Sequence, residues 1–398
     1  MFSDFLQHRK LLYVSMHDLT VPNGPGVNEF ECSLYLKKRY PNAVCVIAPK
    51  PRYPSHSACE VIDETFSKAP LWNLPWHFFL ETRLKNRINK LIVKEKFDCV
   101  LARMSLFPWA LVNIDVQRAP LFLKTVGEID GFARNKGIKG VFARCTKNLN
   151  NSISKKVLNR AAAIDCCTPE LVAKNSKDFG IPLEKIFLVE NGTNTDRFQP
   201  RPSNSTKKVL GSDHLDPILG YVGGAPAERG GVEIIKAVAA LKDEYPNIGA
   251  IVVGTNSDGR LEKEAFINGV RERVILTGVM PYEKIPEIVQ SFDIGFALDR
   301  SSRAKVTGNS YQKVRQYLAC GKPVITCMDA SHKFVKKGFA KNVQPNDIAG
   351  IISQIKQLLT RKKDEISRQS KKAVDFAEAN LSTQKLMEQR LENFKLIK

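Results

Sequence analysis

A chain of 398 residues, 43% hydrophobic and 8% aromatic, is long enough for two packed cores and too apolar to be disordered. Its 61 lysines and arginines stand against 41 aspartates and glutamates, a formal charge of +20, so the partner is expected to be an anion: nucleic acid, a phospholipid surface or a phosphorylated small molecule. No apolar run approaches the roughly 20 residues that span a bilayer. The nine cysteines form no Cys-x-x-Cys pair and the six histidines show no metal-ligand spacing, which argues against a zinc site and for a reducing compartment.

The opening MFSDFLQHRKLLYVSMHD is broken by His8, Arg9 and Lys10 before an apolar stretch develops. It reads as the lead-in to a strand and not as an export signal, so the cytoplasm is the expected location. Strand patterns follow at 11–15, 43–48, 99–102, 121–125, 163–167 and 186–189. Helical patterns span 29–39, after a PNGPG turn, and 79–96. Strand–helix alternation of this kind implies a parallel sheet covered on both faces. At 199–208 the chain breaks into QPRPSNSTKK, a linker composition, and the alternation then restarts with strands at 218–222, 250–253, 274–276, 294–298 and 324–326. The predicted division is a first domain over 1–200, a second over 201–375, and a terminal helix at 376–398 that crosses back onto the first domain.

The stretch NSYQKVRQYLACGKPVI (309–325) predicts a short helix. Asn309 or Ser310 supplies the cap, Val314, Tyr317 and Leu318 make one apolar stripe, Gly321 takes a left-handed terminating position, and Pro323 forbids continuation. Lys313 and Gln316 sit one turn apart near its amino end, where free N–H groups suit an anion.

Several segments, in order, resemble the glycosyltransferases of GT-B fold and GT4 type. These are VENGTNTDRFQP (189–200), LGYVGGAPAERGGVEIIKAVAAL (219–241), AIVVGTNSDG (250–259), RVILTGVMPYEKIPEIVQSFDIGFAL (273–298) and KVRQYLACGKPVIT (313–326). The first half is similar only in looser pieces, GPGVNEFECSLYL, CVLARMS and KNLNNSISKKVLNRAAAIDCCTPEL. The resemblance implies an α/β GT-B architecture: two Rossmann-like domains whose parallel sheets face a central cleft that holds a nucleotide-diphospho-sugar.

On that resemblance, charge on a departing UDP or GDP is met by basic side chains and helix N-termini, with no metal and no cofactor. Arg229 and Lys313 are the implied diphosphate contacts and catalytic pair; Glu128, just beyond the 121–125 strand, completes the expected catalytic set as the group that positions an acceptor hydroxyl. The donor contacts extend to Gly24, Gly26, Gly224, Gly254, Gly278, Val279, Asn309, Ser310, Tyr311 and Gln316, with the base in a slot at 277–280 and the ribose against Gln316. His17, Arg103 and Lys124, at or just after the carboxyl ends of strands, are the acceptor-side set. The bland alternatives are exposed charge for Arg229 and Lys313, an N-cap for Asn309, and plain turns for the glycines. The chain departs from the family at Gln316, where glutamate is typical, at Asn309, where many members carry another, and at Gly223-Gly224, which lacks the first basic residue of a pair. A weaker ribose contact follows, because an amide oxygen replaces a carboxylate.

Two basic stretches remain. PLWNLPWHFF (70–79) leads into TRLKNRINKLIVKEK (82–96), and residues 131–160 hold eight lysines and arginines with no acid. Besides an ordinary solvated face, they suit an anionic membrane surface with Trp72, Trp76 and Phe78 dipping into the interface. The expected activity is transfer of a sugar from a UDP- or GDP-sugar to a glycan or lipid-linked acceptor, with retention, at the inner face of the cell membrane. The alternative is a non-catalytic GT-B-like subunit of an active glycosyltransferase. No RRM, KH or zinc-finger signature supports a specific nucleic-acid partner.

Overall fold

The computed structural model describes residues 3–15, 17, 19, 23–48, 59–61, 74–125, 138–202, 210–256, 258–299 and 311–396, without the side chains of 59–61 and 138–145. Two parallel sheets organise the chain. The first runs β3-β2-β1-β4-β5-β6-β7, with β1 at Leu11–Val14, β2 at Val44–Ala48, β3 at Cys59–Val61, β4 at Cys99–Arg103, β5 at Leu121–Thr125, β6 at Ala163–Cys166 and β7 at Ile186–Leu188. The second runs β10-β9-β8-β11-β12-β13, with β8 at Ile218–Val222, β9 at Gly249–Val253, β10 at Val274–Gly278, β11 at Ile294–Ala297, β12 at Val324–Thr326 and β13 at Ala340–Asn342. The central strands β1, β4, β5, β6, β8, β9, β11 and β12 are buried at every position, as sheets clad on both faces require. In each sheet the order reverses at the middle, between β1 and β4 and between β8 and β11, and crevices open at the carboxyl ends of such strands.

Local chemistry sets the helix ends. Thr168 Oγ1 accepts from Leu171 N at 3.3 Å, Pro169 occupies the first turn and Gly180 closes the Pro169–Phe179 helix at φ +67°. The predicted glycine stop at Gly321 is present, at φ +71°. Three expected starts shift, that of the 79–96 helix to Leu74 among them. The first helix spans Gly24–Arg39, not 29–39, because Asn23 Oδ1 accepts from Gly26 N at 2.8 Å and Pro25 fits a first turn. The PNGPG segment is therefore mostly helix. The third shift is at Gln312–Ala319, where the cap position falls on Tyr311 and no side chain caps it. The short edge strands β3 and β13 escaped the pattern reading.

The final helix, Thr383–Lys395, packs on the first sheet's side. Phe394 stacks on Phe122 with centroids 4.0 Å apart, Arg390 pairs with the buried Asp165, and Glu388 accepts from the Tyr35 hydroxyl at 2.5 Å. The two halves also share a core. Val27 and Phe30 of the first helix join Phe198, Tyr282 and Ile285 in one apolar cluster. Among the described residues, no helix is long and apolar enough to cross a membrane.

Candidate active site

The carboxyl rim of the second sheet gathers the residues singled out from its sequence. Val222 ends β8 and the chain turns through Gly223–Gly230, partly as a 3-10 turn at Pro226–Glu228, before the Gly231–Leu241 helix begins. The turn is held from below: Gly223 N donates to Val253 O at 3.0 Å, and Gly254 N donates to Gly278 O at 2.9 Å. Gly254 sits at φ +143°, and a Cβ there would lie 1.9 Å from Gly223 O, so only glycine lets these strand ends meet. Gly224 and Gly278 are exposed, and Val279 is exposed at the tip beyond β10.

Lys313 reaches this turn from the first turn of the Gln312–Ala319 helix. Its Nζ lies 3.8 Å from the centroid of the Tyr221 ring and against Gly223, while the Tyr221 hydroxyl donates to Gly224 O at 2.9 Å. Burial, and then the neighbouring Arg229 charge, hold the Lys313 ammonium well below its ordinary pKa. Arg229 is partly exposed, with Nε 3.8 Å from Asp299 at the end of β11. The second sheet thus gathers Arg229, Lys313 and one carboxylate around the Gly223–Gly230 turn. Gln316 is only 5% exposed, so its amide lies inside the helix–sheet packing and not on an open face. Tyr311 is half-buried, with its hydroxyl 4.0 Å from Cys327 Sγ. Asn309, Ser310 and Glu128 lie outside the described residues.

The first sheet treats its cations otherwise. Arg103 and Lys124, expected to face an acceptor, are each 1% exposed and turn behind the first helix onto Glu29. Lys124 Nζ lies 2.8 Å from Glu29 Oε1, and Arg103 Nη1 lies 3.4 Å from the same oxygen. The Tyr13 hydroxyl donates to Glu29 Oε2 at 2.6 Å. Burial pushes the Glu29 carboxyl upward, but Lys124 and Arg103 outweigh it and hold the pKa at about 2. These cations fix the first helix instead of presenting themselves to a ligand. Arg103 Nη1 also reaches Pro25 O at 3.5 Å, which ties it to the helix's amino end. Gly24 at that end is exposed with open space beside it, Gly26 is buried, and the half-buried His17 follows β1 on the same rim.

Residues 216–361 match the family described as glycosyl transferases group 1. The curated relatives are matched over less than two thirds of their length. The 2-deoxystreptamine glucosyltransferase of Streptomyces kanamyceticus is 27% identical over 151 residues, 37% of this chain and 39% of that protein. A Bacillus subtilis protein assigned to teichuronic acid biosynthesis as the glycosyltransferase TuaH is 22% identical over 240 residues, 60% of this chain and 58% of that one. The fold as a whole is GT-B. It superposes on Anabaena HepE, crystallised with UDP, with a TM-score of 0.71 at 17% identity, covering 97% of this chain and 100% of that one.

Three features of the two halves were missed in the sequence. Asp299 directly follows a strand pattern, a position that could have flagged it. Glu29 gave no signal, since an acid in an amphipathic helix looks solvated. Glu81 is fully buried in the Leu74–Glu95 helix, 3.8 Å from His77, and accepts from Ala110 N at 2.7 Å. Burial lifts the Glu81 pKa to about 8 and lowers that of His77, so at neutral pH both are uncharged. The aromatic surface also differs from expectation. Trp76 is exposed, Trp72 lies outside the described residues, and Phe78 turns inward onto Phe107 and Trp109 with centroids 6.2 and 5.7 Å away. Phe79 takes its place outside, stacked on Trp76 at 5.2 Å.

Proposed function

We propose that this chain is a glycosyltransferase that moves a sugar from a UDP- or GDP-sugar to a glycan or lipid-linked acceptor, with retention and without a metal. The observation that carries the reading is the convergence of Arg229 and Lys313 on the Gly223–Gly230 turn at the carboxyl rim of the second sheet. A departing diphosphate needs positive charge placed before the reaction, because fixed dipoles and cations stabilise developing charge with no reorganisation. Arg229 stands partly exposed for one phosphate. Lys313 lies against Gly223, where a larger residue would meet it, and the free N–H groups at the start of its helix add to the same field. In this reading Asp299 holds Arg229 in place until phosphate displaces it. His17 faces the acceptor side, the open start of the first helix at Gly24 lets backbone approach the diphosphate, and Glu128 positions the acceptor hydroxyl.

The UDP complex of HepE supports a nucleoside diphosphate as donor, and the assignment of TuaH to teichuronic acid supports a glycan acceptor. The charge of +20 and the exposed Trp76–Phe79 pair support work at an anionic membrane surface. Isothermal titration with UDP and GDP tests the reading: one of the two should bind, and an Arg229→Ala, Lys313→Ala double variant should abolish the heat. A protein silent toward both nucleotides and every donor sugar would overturn it. Burial of Gln316 where the family has glutamate favours, as a second reading, a partner subunit that binds nucleotide without transfer. Transfer only when a homologous chain is added would select it.

A further inference from the structure

A cavity of about 350 Å³ opens at the opposite rim of the first sheet from the cleft. Ala43 and Val44 at the start of β2 and Lys10 just before β1 line it, so it lies at the amino ends of strands whose carboxyl ends face the donor side. Its charged lining is one-sided: Lys10, Lys37, Arg87, Lys90 and Lys94 against Glu95. Two of these cations are anchored. Lys37 Nζ donates to Pro41 O and Val44 O, both at 2.9 Å, and Lys10 Nζ donates to Glu95 O at 3.2 Å. Lys90 and Lys94 stand exposed at the mouth. Lys10 is thereby held on a carbonyl at the end of the 74–95 helix and Lys37 on carbonyls of the turn into β2, and the remaining field is positive.

The mouth continues onto a single helix face. Along Leu74–Glu95, the exposed residues Trp76, Phe79, Arg83, Arg87, Lys90 and Lys94 recur at the three- and four-residue spacing of one helix stripe. Leu80, Leu84, Ile88 and Leu91 fill the core side. The stacked aromatic pair stands at one end of the stripe and the cationic cavity at the other, about 25 Å apart at 1.5 Å per residue. An exposed apolar pair followed by a row of cations is the arrangement that sits on a lipid interface, rings in the headgroup boundary and ammonium groups on phosphate.

We infer that the cavity between the 74–95 helix and the amino ends of β1 and β2 is a headgroup site, taking the phosphate of an anionic phospholipid while Trp76 and Phe79 enter the same leaflet. The inference rests on the membrane-surface reading above and adds a specific phosphate site to it, separate from the diphosphate site of the second sheet. Charge complementarity selects the occupant. The anchored Lys10 and Lys37 present fixed donors, and Lys90 and Lys94 can close over a headgroup whose acyl chains remain in the bilayer.

Flotation of the whole protein with phosphatidylcholine vesicles, with and without phosphatidylglycerol, reads the site without any transfer assay. Wild type should float with the phosphatidylglycerol vesicles, and Lys90→Glu with Lys94→Glu should weaken that partition about twentyfold or more, at about 1 kcal/mol per basic residue removed. The exposed pair Lys371→Glu with Lys372→Glu, on the second domain, makes the same change in net charge and should leave it within about threefold. Equal losses in the two double variants would overturn the site and leave only diffuse charge. Inorganic phosphate bound by the wild type and not by the Lys90→Glu, Lys94→Glu variant, while the two float alike, would assign the cavity to a soluble phosphate and overturn the lipid assignment. A wild type indifferent to phosphatidylglycerol would remove the membrane reading itself. UDP binding, unchanged in every variant, reports that the fold and the donor site survive.

Discussion

In the first sheet, Arg103 and Lys124 end their strands against the buried Glu29, and almost nothing of either side chain reaches solvent. In the second, Arg229 stands partly open beside Asp299, and Lys313 rests on the face of Tyr221 with no carboxylate bonded to its Nζ among the described residues. All four cations occupy the rim where open α/β sheets bind ligands. What separates them is the element behind. The first helix carries an acid at Glu29 that converts two cations into a structural anchor, whereas the Gln312–Ala319 helix has no acidic residue in its first turn to do the same for Lys313. Position at a strand end therefore marks a possible site, and the neighbouring helix decides between binding and bracing.

The contrast breaks most readily in the second sheet. Arg229→Ala or Lys313→Ala should cut the rate of sugar transfer about a hundredfold or more, the scale of losing one preorganised charge at a reacting group. The thermal midpoint should stay where it is, because Arg229 is partly exposed and Lys313 is held by a ring and not by an acid. Undiminished initial rates with UDP- and GDP-sugars would place the diphosphate elsewhere.

Substituting Glu29 attacks the other half. Glu29→Gln leaves two buried cations facing a neutral amide and should lower unfolding stability by about 3–5 kcal/mol in urea titrations. Its carboxyl ordinarily titrates near 4.5 and is held at about 2 in the fold, so its stabilisation is complete above 4.5 and disappears as pH falls toward 2. The variant should lack that acid-dependent step, and an unchanged urea midpoint would mean that Arg103 and Lys124 are neutralised by other groups.

A smaller effect of opposite sign belongs to Glu81. With its pKa raised from 4.5 to about 8, the folded protein keeps a proton that the unfolded chain releases, so this group lowers stability as pH rises across that window. Glu81→Gln keeps an acceptor for Ala110 N and cannot ionise. The decline in thermal midpoint between pH 5 and pH 8 should be shallower in the variant, and parallel declines would show that Glu81 is charged in the fold.

Much of the architecture was written in local pattern. Buried runs such as ILGYV and LFLKT can only be strands clad on both faces, and Gly321 followed by Pro323 ends a helix wherever it lies. The strand-end position of Arg229's turn and the alternation in both halves were equally readable. Side-chain partnership was not. Whether Lys124 meets Glu29 depends on a helix 95 residues away in sequence, and whether Phe78 or Phe79 faces outward depends on where the 74–95 helix rotates to bury Leu84 and Ile88. Gln316, too, reads as a surface amide until the packing of its helix encloses it. The sequence by itself determined two parallel sheets and the charge they carry, because strand burial and helix termination are properties of a few neighbouring residues. Only the tertiary structure decided which cations are spent inside and which remain for a ligand, because an ion pair is fixed by distances across the fold.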